Sequence, residues 1–419
     1  MSAALPSYDE AAALVASRAA RIPPPAAVER VALEQASGRV LARPLFADRD
    51  QPPFSRSTRD GYACRAAEAS AHRCLRVAGA TRAGDPPGGP LPPHAAWEIM
   101  TGAPIPAGAD AVAMLEHVEA EDGAVRLLPP RTLEEDENIV AQGAQARAGA
   151  ELLPAGALIG FAQIALAAAC GFAKLEVFAR PRVAILTTGD EIVPVDAEPG
   201  PGQIRNSNAP MLAALVAAAG GEPFLLPTAA DRAEALDAAL AQAAEADLLL
   251  ITGGVSAGKF DLVEPALARL GARLHFTGVR VQPGKPVVFA EIPHPPTNLH
   301  QNQSRTQCCF GLPGNPVSSA VTFLLFAAPL LAALAGRRDG GPRFALARLT
   351  ETVKGKGGLT RFLPAACTFG AESEPPQVAR VEWQGSGDLA ALARSNCFLV
   401  VPEDADRVDA GDLVRILLA

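Results

Sequence analysis

The sequence predicts a multidomain α/β protein with a doubly wound α/β domain, a β-rich inserted domain and a C-terminal β-barrel domain. Three observations carry this. Between residues 180 and 336, apolar runs alternate with helical stretches: VAILTT, a helix over 209–219, PFLLPT, a helix over 233–245, DLLLITGG and a helix over 263–270. Strands alternating with helices imply a parallel sheet covered on both faces. Residues 48–140 break into the short runs LRVAG, AWEIMTG, DAVAMLEHV and AVRLL between Gly and Pro turns, the pattern of a small β-rich unit. Beyond Gly336 helical periodicity fades, and FALARLTETV, AACTFG, QVARVEW, CFLVVP and LVRILL read as strands of a terminal barrel or sandwich.

Composition bounds the function classes. The 419 residues suffice for about three domains at roughly 150 residues each. The 37 Gly and 38 Pro demand many turns yet stay below the level of a low-complexity chain. A net charge of −8 excludes general attraction to nucleic acid or anionic lipid, though not a local basic pocket. No basic segment followed by an apolar core opens the chain, so the expected location is cytoplasmic. The apolar stretch 321–335 carries Pro329 and reads as an interrupted, buried helix too short to span a bilayer. Seven cysteines without C-x-x-C spacing read as reduced core thiols, and six histidines show no zinc spacing. The polar segment 293–307 reads as an exposed insertion.

Ligands of a doubly wound sheet bind at the carboxyl ends of its strands. The loops TTGDE (187–191), PTAAD (227–231) and TGGVS (252–256) are therefore expected to share one crevice. Glu191, Asp231 and Asp261 then bring carboxylates to one edge, a set suited to Mg²⁺ held jointly with substrate phosphates. Taken singly, Asp231 and Asp261 read equally well as caps of the helices that follow. Residues 253–259 fit the first positions of a P-loop, but Phe260 stands where Ser or Thr would hold Mg²⁺, which argues against a P-loop ATPase. The glycines there either let the 254–256 backbone approach an anion or simply make a tight turn.

In the run 312–319, Asn315 reads as a helix N-cap and Pro316 as the first helical residue, so free N–H groups form an anion site; capping alone explains Ser318 and Ser319 less well. Gln282-Pro283-Gly284-Lys285-Pro286 fixes a lysine on a stiff turn, positioned for a particular anion, against the commoner solvated turn lysine. Asp60 and Thr101 lie in turn-like sequence that local reasoning leaves open.

RDGYA (59–63), IMTGAPIP (99–106), ENIVAQG (137–143), TTGDEI (187–192), IRNSN (204–208), TGGVSAGKFD (252–261), QPGKP (282–286) and GLPGNPVS (311–318) occur in the order of the MoeA-type molybdopterin molybdotransferases. The chain resembles that family, which includes the gephyrin E domain, over nearly its whole length. The resemblance implies four domains: a discontinuous linker and dimerisation domain (1–47 with 141–179), the inserted domain (48–140), a molybdopterin-binding α/β domain (180–336) and the terminal domain (337–419). It implies a homodimer that inserts molybdate into adenylylated molybdopterin, with Mg²⁺-dependent release of AMP, to form molybdenum cofactor. Molybdopterin adenylyltransferase and apo-molybdoenzymes are the implied partner proteins.

Carried onto this sequence, the resemblance assigns Glu191, Asp231 and Asp261 to catalysis and the metal, with Asp60 and Thr101 reaching the cleft from the partner subunit. It assigns substrate binding to Thr188, Gly189, Asp190, Ser207, Asn208, Gly253, Gly254, Val255, Ser256, Pro283, Gly284, Lys285, Pro286, Gly314, Asn315 and Pro316. Molybdate falls to Lys285, Ser318, Arg361 and Ser386, the last in WQGSGDLAAL (383–392). The chain departs from the family pattern at several positions. Gln145 replaces an acidic residue, Val140 an arginine, Gln282 a second lysine, and Leu359 and Pro364 stand where arginines often flank the R-F-L segment. Two other functions compete: a non-catalytic molybdopterin-binding scaffold of the gephyrin type, and a molybdopterin adenylyltransferase. Gly253-Gly254-Val255-Ser256 lacks the Thr-Gly that follows the paired glycines in the latter family.

Overall fold

The computed structural model describes residues 4–254, 262–294, 305–370 and 375–419. At its centre a six-stranded sheet runs in the order Glu222–Leu225, Arg182–Thr187, Leu248–Thr252, Arg305–Leu312, Val288–His294, Arg273–Phe276. The first four strands are mutually parallel. Val288–His294 is antiparallel to both neighbours, so the sheet is mixed where strand and helix alternation implied a parallel one. A parallel return needs a crossover of about a dozen residues or more, and only residues 295–304 separate this strand from the next.

Side chains alternate between two buried faces. Val183, Ile185, Leu248, Leu250, Phe289 and Phe310 enter one core, and Ala184, Leu186, Leu249 and Ile251 the other. Covering on both faces is what makes these strands read as continuous apolar runs. The helix Pro316–Leu334 fills the first core with Val317, Val321, Phe326 and Leu330. It runs through Pro329 without interruption, contrary to the sequence expectation. A π turn at Phe323–Ala327 precedes the proline and absorbs its missing N–H and its ring. Its 19 residues are long and apolar enough to cross a membrane by length and composition, but 72% of that stretch is buried in the protein.

The segment 293–307 is likewise not one exposed insertion. Pro293 pairs with Thr306 and Ile292 with Gln307 in the hairpin ladder, while residues 295–304 lie outside the described part. Gln307 is 1% exposed, and its Nε2 donates to the carbonyls of Ala243 (2.7 Å) and Ala246 (2.8 Å) behind the helix Ala233–Gln242. Gln307→Leu is expected to lower the unfolding free energy by about 2 kcal/mol for the two bonds lost, seen as a lower urea midpoint at unchanged slope.

The helix Tyr8–Ala19 opens with a capping box between Ser7 and Glu10 and buries Tyr8, Ala11 and Val15 in the first core. Val28–Ala32 pairs antiparallel with Lys174–Phe178, and Leu45–Phe46 with Glu151–Leu153, so the chain segments flanking the inserted sheet bind each other. That sheet has six strands, from Gly61–Cys64 to Ala124–Leu127 in chain order. In the terminal region Thr360–Thr368, Gln377–Arg380, Phe344–Leu349, Leu413–Leu418 and Cys397–Val401 follow one another, and the last pairs back onto the first, closing a five-stranded barrel. Val281–Gln282 adds to Thr360–Arg361 in parallel, tying the loop that carries Lys285 to the barrel. Six of the seven cysteines are buried as expected, but Cys74 is exposed.

Candidate active site

Thr187 lies opposite Thr252, and Thr252 opposite Leu312, so three strands end in line and their loops open at one edge. The turns there are steeply constrained. Gly253 has φ +94°, and a Cβ on it would stand 2.5 Å from the Thr188 carbonyl oxygen. These loops wall a cleft of about 380 Å³. Of the residues singled out in the sequence it brings together Thr188, Gly189, Glu191, Asn208, Asp231, Gly253, Gly254, Pro286, Gly314 and Asn315. Ile192 and Ile204, which sequence reasoning missed, add an apolar side.

Two polar atoms of this wall are buried without a partner among the described residues: Thr188 Oγ1 and Asn208 Oδ1. The Asn208 amide is oriented by its Nδ2, which donates to Thr252 Oγ1 (2.8 Å) and the Gly314 carbonyl (2.6 Å). A buried polar atom left unpaired costs about 1–3 kcal/mol, so the pair marks where a ligand's polar edge would be received.

The acidic side carries an electrostatic conflict. Burial raises the Asp231 carboxyl above its ordinary value, and the negative charges of Asp190 and Glu191 raise it further. The Asp231 N–H donates to Asp190 Oδ1 (3.1 Å). Asp231 does not cap the helix after it, because Arg232 occupies the cap position and no side chain bonds there. Glu191 and Asp231 thus offer hard oxygen ligands at a site where like charges crowd. Among the described residues no group of three or more His, Cys, Asp or Glu forms a metal site. Mg²⁺ needs only one or two protein carboxylates when phosphates complete its shell, so this donor set fits it.

A second cleft of about 530 Å³ continues from the first, sharing Pro286, Pro313 and Asn315. It is lined by Pro283, Gly284, Lys285, Ser318 and Ser386 from the sequence candidates. Asn315 sits at the N-cap with extended backbone, but its side chain does not cap. Its Nδ2 donates to Ser386 Oγ (2.9 Å), while the Ser386 carbonyl accepts from Val317 N–H (3.0 Å), so terminal region and helix start lock together. Gln282, Lys356, Leu359 and Trp383 also line this cleft. Sequence reasoning gave Lys356 no role, although its place among Gly355, Gly357 and Gly358 repeats the lysine-in-a-turn signal of Lys285.

Other candidates lie elsewhere. Arg361 lines neither cleft; its Nη1 donates to the Lys354 carbonyl (2.6 Å), which turns the guanidinium away. Asp190, Ser207 and Pro316 border the clefts in sequence without lining them. Val255, Ser256 and Asp261 fall outside the described residues. Asp60 and Thr101 meet each other on the inserted unit, where Asp60 Oδ1 accepts from Thr101 N–H (2.6 Å) and Thr101 Oγ1–H (2.7 Å). Those bonds, the backbone one first, hold the Asp60 carboxyl below its usual range. Folding thus favours ionised Asp60, a contribution present above the unfolded carboxyl value and lost as pH falls through the lowered one. Thr101→Val removes the hydroxyl bond alone, and an NMR titration is expected to show the Asp60 midpoint moving up toward an ordinary aspartate.

Residues 6–171 match the MoeA N-terminal region (domain I and II), 184–333 the probable molybdopterin binding domain, and 346–419 the MoeA C-terminal region (domain IV). A relative from Nostoc sp. named molybdopterin molybdenumtransferase is 34% identical, covering 99% of this chain and 94% of its own. One of the same name from Bacillus subtilis is 34% identical over 93% of this chain and 89% of its own. The crystal structure of the molybdopterin biosynthesis MoeA protein from Pyrococcus horikoshii superposes with a TM-score of 0.79 at 29% identity, covering 99% of this chain and all of that one. Matched from end to end in sequence and in fold, the chain belongs to the MoeA family.

Proposed function

We propose that the chain is a molybdopterin molybdenumtransferase, inserting molybdate into adenylylated molybdopterin with release of AMP to form molybdenum cofactor. The observation that carries this reading is the continuity of two chemically different clefts. One holds carboxylates and unpaired buried polar atoms, and the other holds Lys285, Ser318 and Ser386. A substrate with a polar heterocycle and a phosphoanhydride suits the first, and a small oxyanion the second.

In this account Thr188 Oγ1 and Asn208 Oδ1 bind the polar edge of the pterin, and the loop at Gly253 and Gly254 lets backbone approach the phosphates. Lys285, with the Ser318 and Ser386 hydroxyls, orients the oxyanion beside the pterin sulfurs. Glu191 and Asp231, joined by Asp261, would hold Mg²⁺, which would supply charge neutralisation at the phosphoanhydride. Asp60 and Thr101 complete the site from the second copy of a homodimer built from four units per chain, divided as the sequence suggests. An adenylyltransferase supplies the substrate in the cytoplasm and apo-molybdoenzymes take the product.

Purified protein given adenylylated molybdopterin, molybdate and Mg²⁺ is expected to release AMP, and removing Mg²⁺ with EDTA to stop it. Tight molybdopterin binding with no AMP release would replace this reading with the scaffold one. Gln282 and Leu359 favour that alternative, since neither brings a charge to the second cleft.

A further inference from the structure

The second cleft contains more positive charge than the assigned residues account for. Of its lining side chains Lys285 and Lys356 are charged, and among the described residues no acidic one lines it. The two lysines come from different units, one from the turn after Val281–Gln282 and the other from the turn between the barrel-region strands Val353–Lys354 and Thr360–Thr368. We propose that Lys356 is the second cation of this oxyanion pocket, a binding residue that supplies the charge absent from Gln282 and Leu359. The inference rests on the reading of the second cleft as an oxyanion site.

A lysine on an exposed turn is ordinarily a solvated surface group, and the turn must be fixed for it to be more. Here it is. Gly355 N–H donates to the Asp406 carbonyl (2.7 Å), Gly358 N–H to the Glu403 carbonyl (2.9 Å), and Leu359 N–H closes back on the Lys356 carbonyl (3.2 Å). A Cβ at Gly355 would lie 1.7 Å from the Ala405 carbonyl oxygen, so the turn beside it leaves room for glycine alone. The parallel pairing of Val281 with Thr360 and Gln282 with Arg361 then sets the barrel turn against the Lys285 turn. Among the described residues neither lysine forms an ion pair, and Arg361, the cation expected from the sequence, is turned toward Lys354. Two lysines with no ion pair among the described residues, lining a cleft with no described carboxylate, concentrate positive potential at one small site in a chain of net charge −8. A divalent oxyanion of tetrahedral shape is the ligand class that takes two point charges and two hydroxyls at once.

The test measures molybdate binding to the full chain by equilibrium dialysis, and the KM for molybdate in AMP release, for wild type, Lys356→Gln and Lys356→Arg. Lys356→Gln is expected to weaken binding and raise KM about tenfold, as for loss of one charge-assisted bond, with kcat within about twofold. Lys356→Arg is expected to restore most of the loss, and raising ionic strength to narrow the gap between wild type and Lys356→Gln. If Lys356→Gln binds molybdate as wild type does while Lys285→Gln does not, Lys356 has no part in the pocket and the oxyanion reading stands. If wild type binds no molybdate, both fall.

Discussion

Glu191→Gln and Asp231→Asn are each expected to lower Mg²⁺-dependent AMP release by about a hundredfold or more, the scale of removing one group that stabilises charge developing in a transition state. Both substitutions keep size and remove charge, and both residues line the cleft that would hold the phosphoanhydride. Stability separates this loss from misfolding. Burial, Asp190 and Glu191 raise the Asp231 carboxyl in the folded chain, so folding disfavours its ionised form. The stability that protonated Asp231 contributes is fully present below the unfolded carboxyl value and is lost as pH rises through the folded one, which leaves the ionised group as a penalty at neutral pH. Asp231→Asn relieves the penalty. At neutral pH the variant is expected to melt no lower than wild type, and any advantage should vanish as pH falls through the carboxylate range. Full AMP release in both variants would remove the acidic edge from the mechanism. A variant that loses activity and melts well below wild type would mean that Asp231 supports the fold instead.

Gly253→Ala is the second large effect. Alanine at φ +94° costs about 1–3 kcal/mol in backbone strain. Its Cβ would also stand 2.5 Å from the Thr188 carbonyl, a backbone atom that cannot step aside without moving the residue whose Oγ1 lines the cleft. We expect a lower melting temperature and molybdopterin binding weakened by roughly a hundredfold, as for losing two buried hydrogen bonds. The neighbouring Gly254→Ala is milder, because its Cβ would meet the Thr188 hydroxyl at 3.0 Å and the Val263 methyl at 3.2 Å, both side-chain atoms. Calorimetric titration of the two variants checks the order. Equal affinities would show that the Thr188 to Gly253 contact does not shape the floor.

Two of the crevice loops were legible because each follows a buried apolar strand and carries its own turn residues, Thr188-Gly189-Asp190 and Thr252-Gly253-Gly254. Strand direction was not, since VVFAEI is buried on both faces and reads the same whether it runs parallel or antiparallel. The buried helix over 321–335 was legible as an apolar stretch, but its continuity past Pro329 was not, because a π turn leaves no mark in apolar periodicity. Gln307 was lost in a polar tract, although its side chain serves a helix end far away in sequence. Lys356 and Arg361 show the same limit at the site. Which of two nearby cations faces a cleft depends on how the barrel turn is pinned to Ala405 and Asp406, a contact with no local signature.

If the two clefts work as one, release of AMP is coupled to capture of the oxyanion. A single-turnover reaction counting both AMP freed and molybdenum retained on the pterin tests it most directly. The account predicts equimolar AMP and molybdenum, with AMP release depending on molybdate. AMP freed at the same rate without molybdate, or molybdenum inserted while AMP stays attached, would contradict it.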